Sequence, residues 1–397
     1  MDFPKTLSIE ASEKFLRDLD KRNCDDQLSL PVGTSGFAFG GLASSIQAIN
    51  TWARSSQTRI IKLRSSNKKD VIDDLISKPH KFVAAMSARS IFKDENQDDS
   101  IKLEIYSKAK EAIENQARHP FGQQRGGLCW FVFVDHSSKG FDRNFYITRQ
   151  NGNPEPRQPE QLKAIIKAMA QKAVSIPGGS KPPSEENLDH IGRIFYELFL
   201  NTHEHGTKKL QRNLWLKPGV RVIYAQGINL NDVATKKIID QQPALSQYVQ
   251  SVENKLKVQG NHRFLELSII DSGLGYCKRW LADNSASYQD PDVIPLNDEY
   301  DLFKKCFQFR QTSTSQGNKG NGLPVVMEKL TKLNGLMRIR SGRISVFRDF
   351  VKSPYTDNDV CRFFDWSSLK AEEKNISCMP EVTGVAISLL IPLEAKS

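Results

Sequence analysis

Two spacings of apolar residues alternate along the first 150 positions. A helical period runs through IEASEKFLRDLDKR, LASSIQAINTWARSS and the stretches 69–90 and 101–117. TRIIKLR, LCWFVFVDHSS and RNFYITR are instead dense in β-branched and aromatic residues, and the last two predict a hairpin. Before the second helix lies PVGTSGFAFGG. It lacks the G-x-x-x-x-G-K-[ST] spacing and no lysine follows it, so it reads as a turn feeding a helix rather than a phosphate loop.

Proline- and glycine-rich connectors, NGNPEPRQPEQ and IPGGSKPPSEEN, bracket one helix at about 160–174 and place a hinge or boundary within 150–184. Beyond them the pattern predicts a helix at 186–205, a strand at 219–226, a helical segment at 232–256 and a strand at 263–271. An irregular stretch, 276–316, then leads to a helix at 324–334, paired strands near 336–349 and a last strand at 384–392. Interleaved helices and strands without regular βαβ alternation imply an α/β (α+β) protein, its second half a mixed sheet with helices on one face. The expected units are an α/β domain at 1–150, a linker with one helix at 151–184, and a domain at 185–397 with insertions at about 228–258 and 350–378.

Length agrees, since 397 residues suit two or three domains. No apolar run approaches the roughly 20 residues of a membrane span, and MDFPKTLSIEASEKF has neither the basic start nor the apolar middle of a secretory signal. The chain therefore reads as cytoplasmic, with no membrane contact. Its six cysteines are scattered, without C-x-x-C or histidine at ligand spacing, which points to reduced thiols rather than a zinc site or disulfide framework. The net charge of +10 divides into about +6 over residues 1–180 and about +4 over the rest, with no basic tail. That even spread disfavours a nucleic-acid groove.

Three segments carry candidate chemistry. In IFYELFLNTHEHG, apolar Ile191, Phe195, Leu198 and Phe199, with Thr202, form one stripe, while Glu197, Asn201 and His205 run along its flank at every fourth position. Such a row lines the rim of a cleft, or else is a partly exposed face with satisfied side chains. LELSIIDSGLGY ends a strand on Asp271, followed by Gly273 and Gly275. A buried aspartate accepts a hydrogen bond from the exocyclic amine of adenine and repels the guanine carbonyl, and the glycines let a flat purine approach the backbone. QGNKGNGLPVVMEKL places Gly317, Gly320 and Gly322 before a helix with Pro324 at its start. Free N–H groups at that N-terminus, with Lys319 adding a cation, suit a phosphate.

In this order the three motifs resemble those of the GHKL superfamily of Bergerat-fold ATP-binding proteins: DNA gyrase B subunits, mismatch-repair MutL, ninety-kilodalton heat-shock chaperones, sensor histidine kinases and anti-sigma kinases. ELFLNTHEHG is most similar to the anti-sigma kinase motif E-x-x-x-N-x-x-x-H-G, and LTKLNGLMRIRSG and TGVAISLLIPL resemble the closing elements of histidine-kinase ATPase domains. The likeness spans about 185–397, while the loop and helix near residue 40 resemble those of STAS domains.

The resemblance implies ATP and Mg²⁺ as ligands, with Asn201 holding the metal and Glu197 orienting or deprotonating the attacking water or hydroxyl. It also implies that Asp271 reads adenine with Gly273 and Gly275 shaping the pocket, that Lys319, Gly320, Gly322 and Leu323 cradle phosphates, and that Thr383 or Gly384 closes the adenine side. His205 stacks near the nucleotide or caps its helix. The stretch of about 45 residues between the second and third motifs, with Arg310 and TSTS, is longer than in minimal members and implies a lid. The expected function is an ATPase switch regulating a protein partner, compatible with a homodimer. The alternatives are an anti-sigma-type serine/threonine kinase and an ATP-gated nucleic-acid clamp.

Overall fold

The computed structural model describes residues 1–21, 27–37, 39–63, 68–93, 100–148, 154–176, 180–230, 242–256, 262–285, 294–308, 322–356, 362–371 and 376–394. The first part of the chain runs β1 (Thr6–Leu7), α1 (Ile9–Asp20), β2 (Leu28–Leu30), β3 (Ser35–Phe37), α2 (Gly41–Ser55), β4 (Ile60–Leu63), α3 (Lys68–Ile76), α4 (Pro79–Ser87), β5 (Ser90–Lys93) and α5 (Lys102–Gln116). Then come β6 (Gln123–Arg125), β7 (Leu128–Val134), β8 (Tyr146–Thr148), β9 (Pro154–Pro156), α6 (Pro159–Ser175) and α7 (Glu185–His205). The rest is β10 (Val220–Asn229), α8 (Pro243–Leu256), β11 (Arg263–Ile270), α9 (Tyr276–Asn284), α10 (Leu296–Lys305), α11 (Gly322–Lys332), β12 (Leu336–Gly342), β13 (Ile344–Asp349), β14 (Phe364–Asp365) and β15 (Val382–Leu393).

The protein is of the α/β class. Eight strands form one sheet in the order β14-β13-β12-β15-β11-β10-β7-β6, and β2, β4 and β5 form a separate parallel sheet. Every pairing in the large sheet is antiparallel, so the mixed sheet expected from sequence is not found there. The expected hairpin of LCWFVFVDHSS with RNFYITR is also replaced. Cys129, Phe131 and Phe133 of β7 point to one face of the large sheet and Trp130 and Val132 to the other. A strand apolar on both sides needs cover on both faces, which helices on either side of the large sheet supply to β7; its edges pair with β10 and β6, whereas Tyr146–Thr148 pairs with Pro154–Pro156.

One face carries the anticipated helix layer: α6, α7 and α11 cover Phe131, Ile223, Leu267, Ile339 and Leu389. The other face is covered by the amino-terminal helices, with Trp52 and Ile49 of α2 in one core with Val132, Val222, Ile270 and Ala386. A buried ion pair reinforces that packing, Arg340 of β12 donating to both carboxylate oxygens of Glu13 on α1 at 2.8 and 3.3 Å. The helix in the 228–258 insertion, α8, lays Leu245 and Tyr248 against Phe264, Leu336 and Leu390 of the sheet. Residues 276–316, expected to be irregular, contain α9 and α10, while the helix expected over 69–90 is two, broken before Pro79 because the residue ahead of a proline disfavours the α region. Among the described residues no helix is long and apolar enough to cross a membrane.

Candidate functional site

Helix α7 starts where Ser184 accepts a hydrogen bond from the Asn187 N–H, with Glu185 and Glu186 in the first turn favouring the positive helix end. Ile191, Phe195, Leu198, Phe199 and Thr202 are buried, whereas Glu197, Asn201 and His205 are half-buried, so the polar row does border the core. Its position is fixed by a fully buried pair beneath it. Arg221 of β10 donates to both oxygens of Asp135 at 2.7 and 2.8 Å, to Tyr146 Oη at 3.0 Å and to Thr202 Oγ1 at 3.3 Å.

The end of α7 meets the turn after β11 through glycines. A Cβ on Gly206 would lie 2.6 Å from Asp271 Cγ, and one on Gly273 would lie 2.7 Å from Gly206 Cα. Gly384, with φ of +71°, abuts Asp271 from the third side, where a Cβ would be 2.8 Å from Oδ1. Only glycine tolerates both the space and the backbone there. Asp271 is 5% exposed, and its Oδ1 accepts from the N–H groups of Gly273 at 2.8 Å and Val385 at 3.2 Å. No donor among the described residues reaches Oδ2. Burial pushes this carboxyl up to about 6, against the pull of the two backbone donors.

The other end of the row lies against α11. A Cβ on Gly322 would sit 2.7 Å from Glu197 Oε2, while Arg193, one turn back on α7, pairs with Oε1 at 2.5 Å. Burial raises the Glu197 carboxyl and Arg193 opposes the rise. Asn201, between the two ends, has no hydrogen bond to its side-chain amide among the described residues. The His205 ring lies beside Arg212 at the end of its helix. Its Nδ1 accepts from Arg212 at 3.2 Å, so the ring proton is on Nε2, and burial followed by Arg212 lowers its pKa to about 4. Arg212 is held in turn by Asp283 of α9.

Gly275 (φ +78°) turns the chain into α9, and its missing Cβ leaves room for Ser341 Oγ, which accepts from Tyr276 N at 3.0 Å. Thr383 lies next to Gly384 at the irregular start of β15, ahead of Val385 and Ile387, which face the α7 core. Leu323 is buried in that core, leaving only its backbone for a ligand, and Pro324 is the third residue of α11 rather than the first. Lys319, Gly320, Gly317, Arg310 and the TSTS run lie outside the described residues.

Glu197, Asn201, His205, Asp271, Gly273, Gly275, Gly322 and Thr383 are thus brought together from four parts of the chain. Three contributors were not singled out from sequence. Gly206 was legible as the glycine that closes a helix, but Arg193 and Ser341 carry no local signal. No family model matches the chain, and comparisons with curated proteins and with solved structures return no match.

Proposed function

We propose that the chain binds Mg·ATP where α7, the Asp271–Gly275 turn, the start of β15 and the N-terminus of α11 meet, and hydrolyses it as a switch acting on a protein partner. This is the chemistry of GHKL Bergerat-fold proteins. The observation that carries the reading is the convergence of motifs distant in sequence: Gly206, Gly273 and Gly384 close around Asp271, while Gly322 closes on Glu197.

The groups present suit the ligand. Asp271 Oδ1 is occupied by backbone donors, which leaves Oδ2 to accept the adenine amine. The first N–H groups of α11 have no partner within the helix and favour an anion. The Asn201 amide oxygen, without a hydrogen-bond partner among the described residues, would hold Mg²⁺, which would supply positive charge to neutralise the phosphates. Glu197 would take the proton of the attacking water, since a carboxylate raised by burial is a better base than an exposed one.

Calorimetry with Mg·ATP tests the reading, because absence of a binding signal from folded protein would defeat it. With γ-labelled ATP the label should leave as free phosphate, and label retained on protein would favour the kinase alternative. Arg193 supplies a finer expectation. The base must be ionised, and Arg193 lowers the Glu197 pKa, so Arg193→Gln should move the acid limb of the pH–kcat profile upward, by a shift that the screening of the half-exposed guanidinium keeps small. A limb that stays in place or moves down would show that Arg193 does not act on the base.

A further inference from the structure

The face of β15 opposite α7 shows where residues beyond the three motifs enter the site. β15 leaves its ladders at Thr383 and Gly384: Ser341 pairs with Val385 and Gly342 with Val382, while pairing with β11 begins at Ala386. The two residues between have no cross-strand partner. A bulge of this kind frees backbone N–H and C=O groups that must be satisfied elsewhere when buried.

Helix α2 satisfies three of them, the Thr383 N–H and the carbonyls of Thr383 and Gly384. Gln47, 1% exposed, directs Nε2 to the carbonyls of Arg340 at 3.0 Å and of Thr383 and Gly384 at 3.4 Å. Thr51 Oγ1 accepts from the Thr383 N–H at 3.0 Å and donates to its own helix at Gln47 O, so its hydroxyl both accepts and donates. One turn on, Arg54 donates to the carbonyls of Ser272 and Pro218, both at 2.9 Å, and so grips the turn that follows Asp271. The helix is itself fixed: Gly40 N–H donates to buried Glu266 at its start, and Asn50 donates to Val220 O near its end.

We propose that Gln47, Thr51 and Arg54 are positioning residues for the adenine end of the nucleotide site, so that α2, from the first part of the chain, sets purine affinity and selectivity. This rests on the ATP reading above. The route is short. Val385 N–H, next to the bulge, holds Asp271 Oδ1, and Gly384 backs the same residue, so a bulge released from α2 frees the Asp271 carboxylate to turn. An aspartate that can turn no longer separates an amine from a carbonyl on the purine.

The test is calorimetry with Mg·ATP and Mg·GTP on the full chain, with steady-state hydrolysis beside it. Thr51→Val keeps the shape of the side chain and removes the acceptor. It should weaken ATP binding about five- to tenfold and narrow the ATP-to-GTP ratio by a similar factor, raising KM with kcat within about twofold. Thr51→Ser should restore both. Ser55→Ala, on the same helix and bonded among the described residues only to Thr51 O, is the control and should behave as wild type. Gln47→Leu should act as Thr51→Val does; if it fails to fold, the near-isosteric valine variant still decides. Wild-type affinity and selectivity in folded Thr51→Val would overturn the inference while leaving ATP binding intact. No binding by wild type would instead overturn the nucleotide reading beneath it.

Discussion

Asp271→Asn should lose its preference for ATP over GTP and bind ATP about 10- to 100-fold more weakly, while the protein stays folded. The asparagine oxygen can still accept from Gly273 and Val385, so the turn is kept. At the position of Oδ2, however, the amide places a donor. Facing the adenine amine it leaves two donors opposed, and facing the guanine carbonyl it makes a bond. The same substitution has a second, opposite effect on stability. The folded-state pKa of Asp271 is raised to about 6 from an ordinary 3.8, so the folded protein takes up a proton that the unfolded chain releases. Stability from this group is therefore highest below about pH 4 and is lost as pH rises through about 6, the penalty above that being on the order of 3 kcal/mol at most. Asparagine carries no charge to bury. Thermal unfolding at pH 8 should show the variant more stable than wild type, with the difference vanishing near pH 4. A variant less stable at pH 8, or one that keeps full ATP preference, would remove Asp271 from this role.

Glu197→Gln should lower kcat for ATP hydrolysis by about 10²- to 10⁴-fold and leave the dissociation constant for ATP within about threefold. Glutamine has the volume of glutamate, so the close approach of α11 at Gly322 is preserved. What disappears is the base. Arg193 also loses its partner, but that guanidinium is half-exposed and rehydrates, so its effect on binding is small. Phosphate release from the purified variant, measured beside calorimetry, separates the two quantities. Unchanged turnover would mean that another group receives the proton.

Much of the second half was legible because its signals are local. The buried stripe of α7 and the polar row on its flank follow from a 3.6-residue period, and β11, β12, β13 and β15 follow from dense apolar runs bounded by glycines. The glycines after Asp271 were read as room for a flat purine; the space beside Gly273 is instead taken by Gly206, and Gly206 and Gly384 abut Asp271. What was not legible is long-range. Nothing in LCWFVFV says that its partner is Val220–Gln226 rather than the nearer RNFYITR, because an apolar strand accepts any edge. Nor does LASSIQAINTWARSS distinguish Gln47 and Thr51, bonded to β15, from polar residues facing solvent, since both kinds interrupt an apolar helix alike. The short helices α9 and α10 were hidden for a different reason, each too brief for periodicity to stand out.

Strand β7 lies between β10 and β6 and is buried on both sides, and this bears on how the protein can be divided. Cutting the chain at 184, where the prolines invite a boundary, strips β10 of its neighbour and uncovers apolar rows on both surfaces of the sheet. An orphaned ribbon of that kind self-associates. Residues 185–397 made alone should elute from size exclusion as aggregate, and co-production with residues 1–184 should return a one-to-one complex by complementation. A monodisperse, folded 185–397 fragment would mean that the two pieces are separable after all.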